Sequence, residues 1–465
     1  MPEFVYRSPM PVSAADLFDW HTRPGALERL TPPWDPVKVL QRTGPLEEGT
    51  RIVLSVPLGP ARIRWVSRHS DVIPGQQFKD EQIEGPFSEW VHTHRMLPNG
   101  NSGSSVLEDR IRFDAPFGPA GRVLAGSFVP QRLGRLFRFR HDTLRGDLTT
   151  HARYIGRPRL RIAITGTHGL IASLLIPFLT SGGHEVVKLV RTPARKPDEV
   201  EWSLAHGIQD LVRLGRIDAC IHLAGENIGD HRWTEARKRE IRRSRVEGTR
   251  RLAESLARLN PPPAAFLCAS GVNFYGARAG EITEQDGPGT DFLSQVCQEW
   301  EAAADVAANA GVRVVHMRTA PMLTPRGGVI QRMMLPFSLG LGGRLGKGDQ
   351  VMPWIAPDDL VGAYHHALQN EIWGPLNVCA PRATSNIELT ATLARVLRRP
   401  AVLPVPVFAL RVILGEMAEP LVFTSLRVVP ERLVASGYEF RYPDLEQTLR
   451  HVLGRYSPSS SSASL

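Results

Sequence analysis

Cysteine is scarce in this 465-residue chain, with only Cys220, Cys268, Cys297 and Cys379. No two of them have the spacing of a metal site or a redox motif, which excludes a disulfide framework, a zinc finger or a dithiol centre as the organising principle. Three lie in or beside apolar, strand-like runs, so buried free thiols and a cytoplasmic location are expected. Long apolar runs are also missing. The best, 401–414, is interrupted by Pro404, Pro406 and Arg411, which leaves no membrane span. The opening MPEFVYRSPM has no cationic stretch followed by an apolar core, so no signal peptide is expected. Acidic residues are outnumbered, 47 against 56 basic, giving a net charge of +9. Spread along the chain, that excess suits anionic ligands and does not by itself indicate nucleic acid.

Hydrophobic residues make up 42% and charged residues 22%, as in a globular protein, and the length predicts two or three domains. The densest signal is the stretch LRIAITGTHGLIASLLIPFLTSGGHEVVKLVR, residues 160–191. It reads as an apolar strand (160–164), a glycine turn (165–169), a helix (170–179) stopped by Gly182-Gly183, and a second strand (185–190). This is a βαβ unit whose first turn lets backbone approach a pyrophosphate, with the helix N-terminus facing the anion. Arg191 follows the second strand, with Arg195 and Lys196 behind it. An acidic residue there binds the ribose hydroxyls of NAD, whereas a basic one accommodates the extra phosphate of NADP. NADP(H) is therefore expected in preference to NAD(H). The cofactor-binding set is Gly166, Thr167, His168, Gly169, Leu170, Ile171 and Arg191, joined by Leu223, Ala224 and Gly225 after the strand 217–223.

Strand–helix alternation continues with a basic helix (234–259), a strand (265–269), a helix (292–310) and a strand (312–317), predicting an α/β, doubly wound parallel sheet. Between His231 and Arg251 nine Lys/Arg stand against three Glu. Without interleaved aromatics this reads as a solvated face, so neither nucleic acid nor membrane is an expected partner. A small-molecule substrate or apolar ligand is, and a homodimer is compatible with the sequence.

Residues 1–153 read differently. A strand at 4–6 and a short helix at 14–19 capped by Ser13 precede alternating stretches at 51–56, 62–68, 90–95 and 105–113, and a helix at 129–144 closes the module. His92 and His94 alternate on one strand face. With no third ligand at useful spacing they read as cross-strand polar residues, and no metal site is expected. The polar stretch HARYIGRP, 151–158, marks a domain boundary.

The module's element order, with GPFSEW (85–90), LEDRI (107–111) and RFRH (138–141), resembles the helix-grip fold of the SRPBCC (START-like, polyketide cyclase-like) superfamily. That resemblance implies a cavity between curved sheet and long helix that suits an apolar ligand. Residues 159–455 closely resemble the YfcH-like epimerase-family proteins, atypical extended short-chain dehydrogenase/reductases. The resemblance rests on ITGTHGLIA (164–172), HLAGENIGDHRWTEARKREIRRSRVEGT (222–249), SGVNFYG (270–276), RTAPML (318–323), LGLGGRLGKGDQVMPWIAPDDLV (339–361) and GPLNVCAP (374–381). Residues 399–450 resemble the small domain that closes this family, and 456–465 is expected to be a disordered tail. Two positions depart from the family's glycine loop: Ala172 closes it, and His168 replaces a small residue.

The resemblance also implies an Asn-Ser-Tyr-Lys catalytic set. Ser270 fits the serine. The tyrosine and lysine positions fall on Leu293 and Cys297, and the asparagine position on Arg245. Tyr275 is the nearest phenol, and Glu226, Arg232, Arg245, Asp358 and Asp359 are further pocket groups. The five glycines between 340 and 348 offer a loop that can close on a ligand. Two readings stay open: an oxidoreductase or epimerase with a different acid/base, or a non-catalytic NADP(H)-responsive binding protein.

Overall fold

The computed structural model describes residues 2–59, 61–115 and 128–456 of the chain, which leaves all but the first residue of the expected tail, 456–465, outside the described residues. The chain forms two compact units. One comprises the residues up to Ile155 together with Thr180–Gly183 and the chain from Arg450; the other comprises Gly156–Leu179 and His184–Leu449.

The first unit is a seven-stranded antiparallel sheet in the order β1-β7-β6-β5-β4-β3-β2. Its strands are β1 (Glu3–Met10), β2 (Lys38–Arg42), β3 (Arg51–Leu58), β4 (Ala61–Ile73), β5 (Gln77–Glu84), β6 (Glu89–Asn99) and β7 (Asn101–Asp114). The helix Ala14–Thr22 starts where Ser13 accepts the Asp16 amide. The long helix runs Phe128–Ala152, two turns past the expected end. Gly146 suggests a stop, but Leu144 and Leu148 continue the buried stripe begun by Leu133 and Phe137, and packing outweighs one glycine's propensity. Phe137 packs against Phe4 on β1, with ring centroids 5.8 Å apart. This is the helix-grip arrangement, and the sheet and long helix line a cavity of about 450 Å³.

The second unit is built on an eight-stranded sheet, β11-β10-β9-β8-β12-β13-β15-β17. Its strands are β8 (Arg161–Thr165), β9 (Glu185–Val190), β10 (Glu199–Ser203), β11 (Gly207–Ile208), β12 (Ala219–His222), β13 (Ala265–Gly271), β15 (Arg313–Thr319) and β17 (Gly374–Val378). All pairings are parallel except β10 with β11. Two small ladders, β14 (Glu281–Ile282) with β19 (Arg427–Val428) and β16 (Val351–Met352) with β18 (Thr384–Ser385), join the C-terminal elements.

The sheet is apolar on both faces, as parallel sheets require. Ile162 and Ile164 face one core with Leu175, Phe178 and Tyr364. Ala163 faces the other with Val187, Trp202, Leu252 and Phe266. All four cysteines are buried free thiols. Strand order reverses between β8 and β12, and the carboxyl ends flanking that reversal are where ligands bind in such sheets.

Candidate dinucleotide site

The predicted loop lies at this reversal. Gly166 leaves β8 with φ +68°, and a Cβ there would sit 2.7 Å from the Leu223 carbonyl carbon and 2.8 Å from the Ala224 nitrogen. Only glycine permits that approach. Thr165, which the sequence reading missed, secures it: its hydroxyl accepts the amides of Leu223 (3.1 Å) and Ala224 (3.2 Å) and pairs with His222 Nδ1 at 2.7 Å. Thr167, His168 and Gly169 form the turn, where the Gly169 amide bonds to the Gly166 carbonyl at 2.8 Å. Leu170 and Ile171 lead into the helix Ala172–Ser181. Ten predicted residues, 166–171, Arg191 and 223–225, thus gather at the ends of three neighbouring strands.

Arg191 stands at the end of β9 with its side chain 67% exposed, and its guanidinium is 4.0 Å from Glu226. Glu226 is also held by Arg237 at 3.2 Å. Arg245 is half-buried and sits against Gly225, where a Cβ would meet its guanidinium carbon at 3.3 Å; it stacks over Trp300 at 5.0 Å. Burial lowers its pKa. Cys297, at the position where the resemblance implies a lysine, lies beside Gly271, and burial pushes its thiol up to about 11. The corner that lacks a lysine therefore gains an arginine from the neighbouring helix. Other cations of that helix pair on its surface, Lys238 with Glu235 and Glu416, Arg242 with Glu299, Arg243 with Glu247.

The two candidate catalytic groups lie together in a buried network. Ser270 donates to Glu301 at 2.7 Å, and Glu301 takes Arg318 in a two-point pair of 2.9 and 2.8 Å. Arg318 also donates to the Tyr275 hydroxyl at 3.0 Å, which in turn donates to Asn377 at 2.7 Å. Tyr275 is 0% exposed, and burial pushes its phenol up to about 12. Both hydrogen-bonding directions of the phenol are thus taken by protein groups.

Other candidate pocket groups also bind the scaffold. Arg232 donates to the Ile413 and Val412 carbonyls at the end of the helix Val407–Leu414. Asp359 accepts the amides of Arg441 (2.6 Å) and Tyr442 (2.8 Å) and the Tyr438 hydroxyl (3.1 Å), clamping the C-terminal segment; Asp358 is 3.6 Å from Arg441. The glycine loop 340–348 is tied down as well: Leu403 and Val405 donate to Gly342 and Arg344, and Leu345 donates to Asn386.

The family described as "NAD dependent epimerase/dehydratase family" matches residues 162–379. An epimerase family protein of Mycobacterium bovis, Mb2239, is 36% identical over 296 residues, 63% of this chain and 98% of the relative. The chain belongs to the epimerase family. Its C-terminal residues 405–452 match a domain of unknown function, DUF1731, and residues 10–138 match "Polyketide cyclase / dehydrase and lipid transport". A solved structure described as the nucleoside-diphosphate sugar epimerase of Corynebacterium glutamicum is 31% identical with a TM-score of 0.80, covering 98% of this chain and 91% of that one. The human epimerase family protein SDR39U1, solved with NADPH, is 33% identical with a TM-score of 0.59, covering 63% of this chain and 99% of that one.

In the epimerase-family chain's first unit His92 and His94 meet polar partners across the neighbouring strands. Strand pairing sets Asp80 directly across from His92 and Asp109 across from His94. Burial lowers His92 to about 4. It also acts to lower His94, but Asp109 and Asp80 outweigh it and raise that imidazole to about 9. The third and fourth groups come from the two flanking strands, β5 and β7, which spacing along one strand does not reveal. No described helix is long and apolar enough to cross a membrane.

Proposed function

We propose that the second unit is an NADP(H)-binding oxidoreductase or epimerase-type module acting on a small molecule. The observation that carries this is the Gly166 turn pressed against the 223–225 backbone with Arg191 exposed beside it. The residues fit the cofactor: a close-approach glycine turn at a helix start for the pyrophosphate, and an exposed guanidinium, 4.0 Å from Glu226, for the 2′-phosphate. Loop residues 166–171 would hold the pyrophosphate, Arg191 the ribose phosphate, and Arg245 would keep fixed positive charge at the ends of β12 and β13. Bound there, the nicotinamide supplies hydride transfer. The human relative solved with NADPH supports the phosphate-bearing nucleotide.

The sealing of Tyr275 favours a second reading, in which the module binds NADP(H) without turnover. Fluorescence titration with NADPH, followed by nicotinamide absorbance on a panel of carbonyl compounds and sugar nucleotides, separates them. Saturable binding with substrate-dependent absorbance change supports the enzyme, saturable binding alone the sensor, and absence of binding contradicts both.

A further inference from the structure

The cavity of the first unit carries a group of side chains that the dinucleotide module does not use. Asp80 on β5 and His92 and His94 on β6 each offer one ligand atom, all within 4.8 Å of one another, and both histidines are buried. Strand geometry explains the convergence. His92 and His94 are two residues apart and share a face, and antiparallel pairing brings Asp80 opposite His92 on that same face. All three line the cavity.

We propose that Asp80, His92 and His94 form a binding site for a late first-row divalent cation, Zn²⁺ being the natural occupant, with an open coordination position facing the cavity.

Three observations support it. The separations match coordination. His94 Nε2 lies 3.2 Å from Asp80 Oδ2, and ligand atoms bound at about 2.1 Å to one tetrahedral or octahedral ion lie roughly 3 Å apart.

Besides the hydrogen bonds of His94 Nε2 to Asp80 and of His92 Nε2 to Asp109, two further imidazole nitrogens approach carboxylates without being aligned for hydrogen bonds. His94 Nδ1 is 2.7 Å from Asp109 and His69 Nδ1 is 2.8 Å from Asp80, yet neither nitrogen makes a hydrogen bond. His69 is 4% exposed, lines the cavity, and its Nε2 is equally unpartnered. It is a third imidazole beside Asp80.

Finally, an orienting shell is built. Asp109 Oδ1 pairs with His92 Nε2 at 2.7 Å, and Asp109 Oδ2 with His141 Nε2 at 2.6 Å. A carboxylate behind a ligating histidine is the arrangement that fixes its ring and tautomer in metal sites. Two imidazoles and one carboxylate select zinc and its neighbours over Mg²⁺ or Ca²⁺, which take oxygen ligands. The open position would accept an oxygen donor, a carbonyl, carboxylate or phenolate, on an otherwise apolar ligand held in the cavity.

The test uses the full chain, without an affinity tag and stripped by chelator. It is titrated calorimetrically with Zn²⁺ and with Mg²⁺, and Co²⁺ absorbance is recorded. The expected result is one Zn²⁺ per chain, no Mg²⁺ uptake, a visible Co²⁺ band, and affinity lowered at least 100-fold in both Asp80→Asn and His94→Gln. Far-ultraviolet circular dichroism and the melting transition of the first unit, measured in parallel, report that the two variants are folded. Should they misfold, Asp109→Asn replaces them, with an expected 10- to 100-fold loss from the orienting position. Absence of stoichiometric Zn²⁺ binding to the wild-type chain, or equal affinity in folded variants, overturns the proposal.

Discussion

Tyr275→Phe distinguishes a buried structural phenol from an acid/base, and its effect can be worked from the network. The hydroxyl donates to Asn377 at 2.7 Å and accepts from Arg318 at 3.0 Å. Asn377 is 0% exposed, so water cannot replace the lost donor. Arg318 keeps its two-point pair with Glu301. One neutral hydrogen bond at about 1 kcal/mol and one to a charged partner at about 1.5–2 kcal/mol sum to roughly 2–3 kcal/mol. For a unit of roughly 290 residues, the unfolding entropy near 60 °C is about 0.6 kcal/mol/K. The midpoint should fall by about 3–5 °C. Scanning calorimetry of the full chain resolves which transition moves, and NADPH titration follows the site. The transition of the second unit should shift with cofactor affinity unchanged. An unshifted transition accompanied by lost hydride transfer would refute this and return Tyr275 to the chemistry.

Gly166→Ala should abolish measurable NADPH binding, because its Cβ would lie 2.7 Å from backbone at a left-handed φ; retention of affinity within threefold would contradict the close-approach geometry. Acid should weaken the second unit. Burial lowers His184 to about 4 and His222 and His365 to about 3, so below the ordinary value of 6.5 the unfolded chain takes protons that the folded chain refuses. Stability is full above that pH and is lost as pH falls towards 4, by about 2 kcal/mol at pH 5 for each histidine titrating alone. His184 and His365 are 3.1 Å apart and titrate as a pair. A flat melting profile between pH 7 and 5 would count against this. Asp359→Ala should loosen the C-terminal segment by removing the acceptor of two amides and a phenol, seen as faster amide exchange at Tyr438 to Tyr442; unchanged exchange would deny the clamp.

The dinucleotide loop was legible because all its information is local: an apolar strand, a glycine turn and a helix within thirty-two residues, 160–191. The sheet was legible from its continuous apolar strands. What escaped was non-local. Thr165 reads as the first residue of the glycine turn until β12 is beside it. Arg245 reads as one of nine cations until its packing against Gly225 and Trp300 is seen. Ser270 and Tyr275 were identifiable as polar groups near a strand end, but their direction into the Glu301–Arg318 pair depends on helix and strand packing. His92 and His94 were visible as an alternating pair, whereas Asp80 and Asp109 join them only through the register of three strands.

The account stands or falls on Arg191 as the group that recognises the 2′-phosphate. The decisive measurement is calorimetric titration of the full chain with NADPH and with NADH, repeated on Arg191→Ala. The account predicts tighter NADPH binding, and a loss in the variant of about 1.5–3 kcal/mol, tenfold or more, for NADPH alone. Equal affinity for the two nucleotides, or an equal loss for both in the variant, would contradict it.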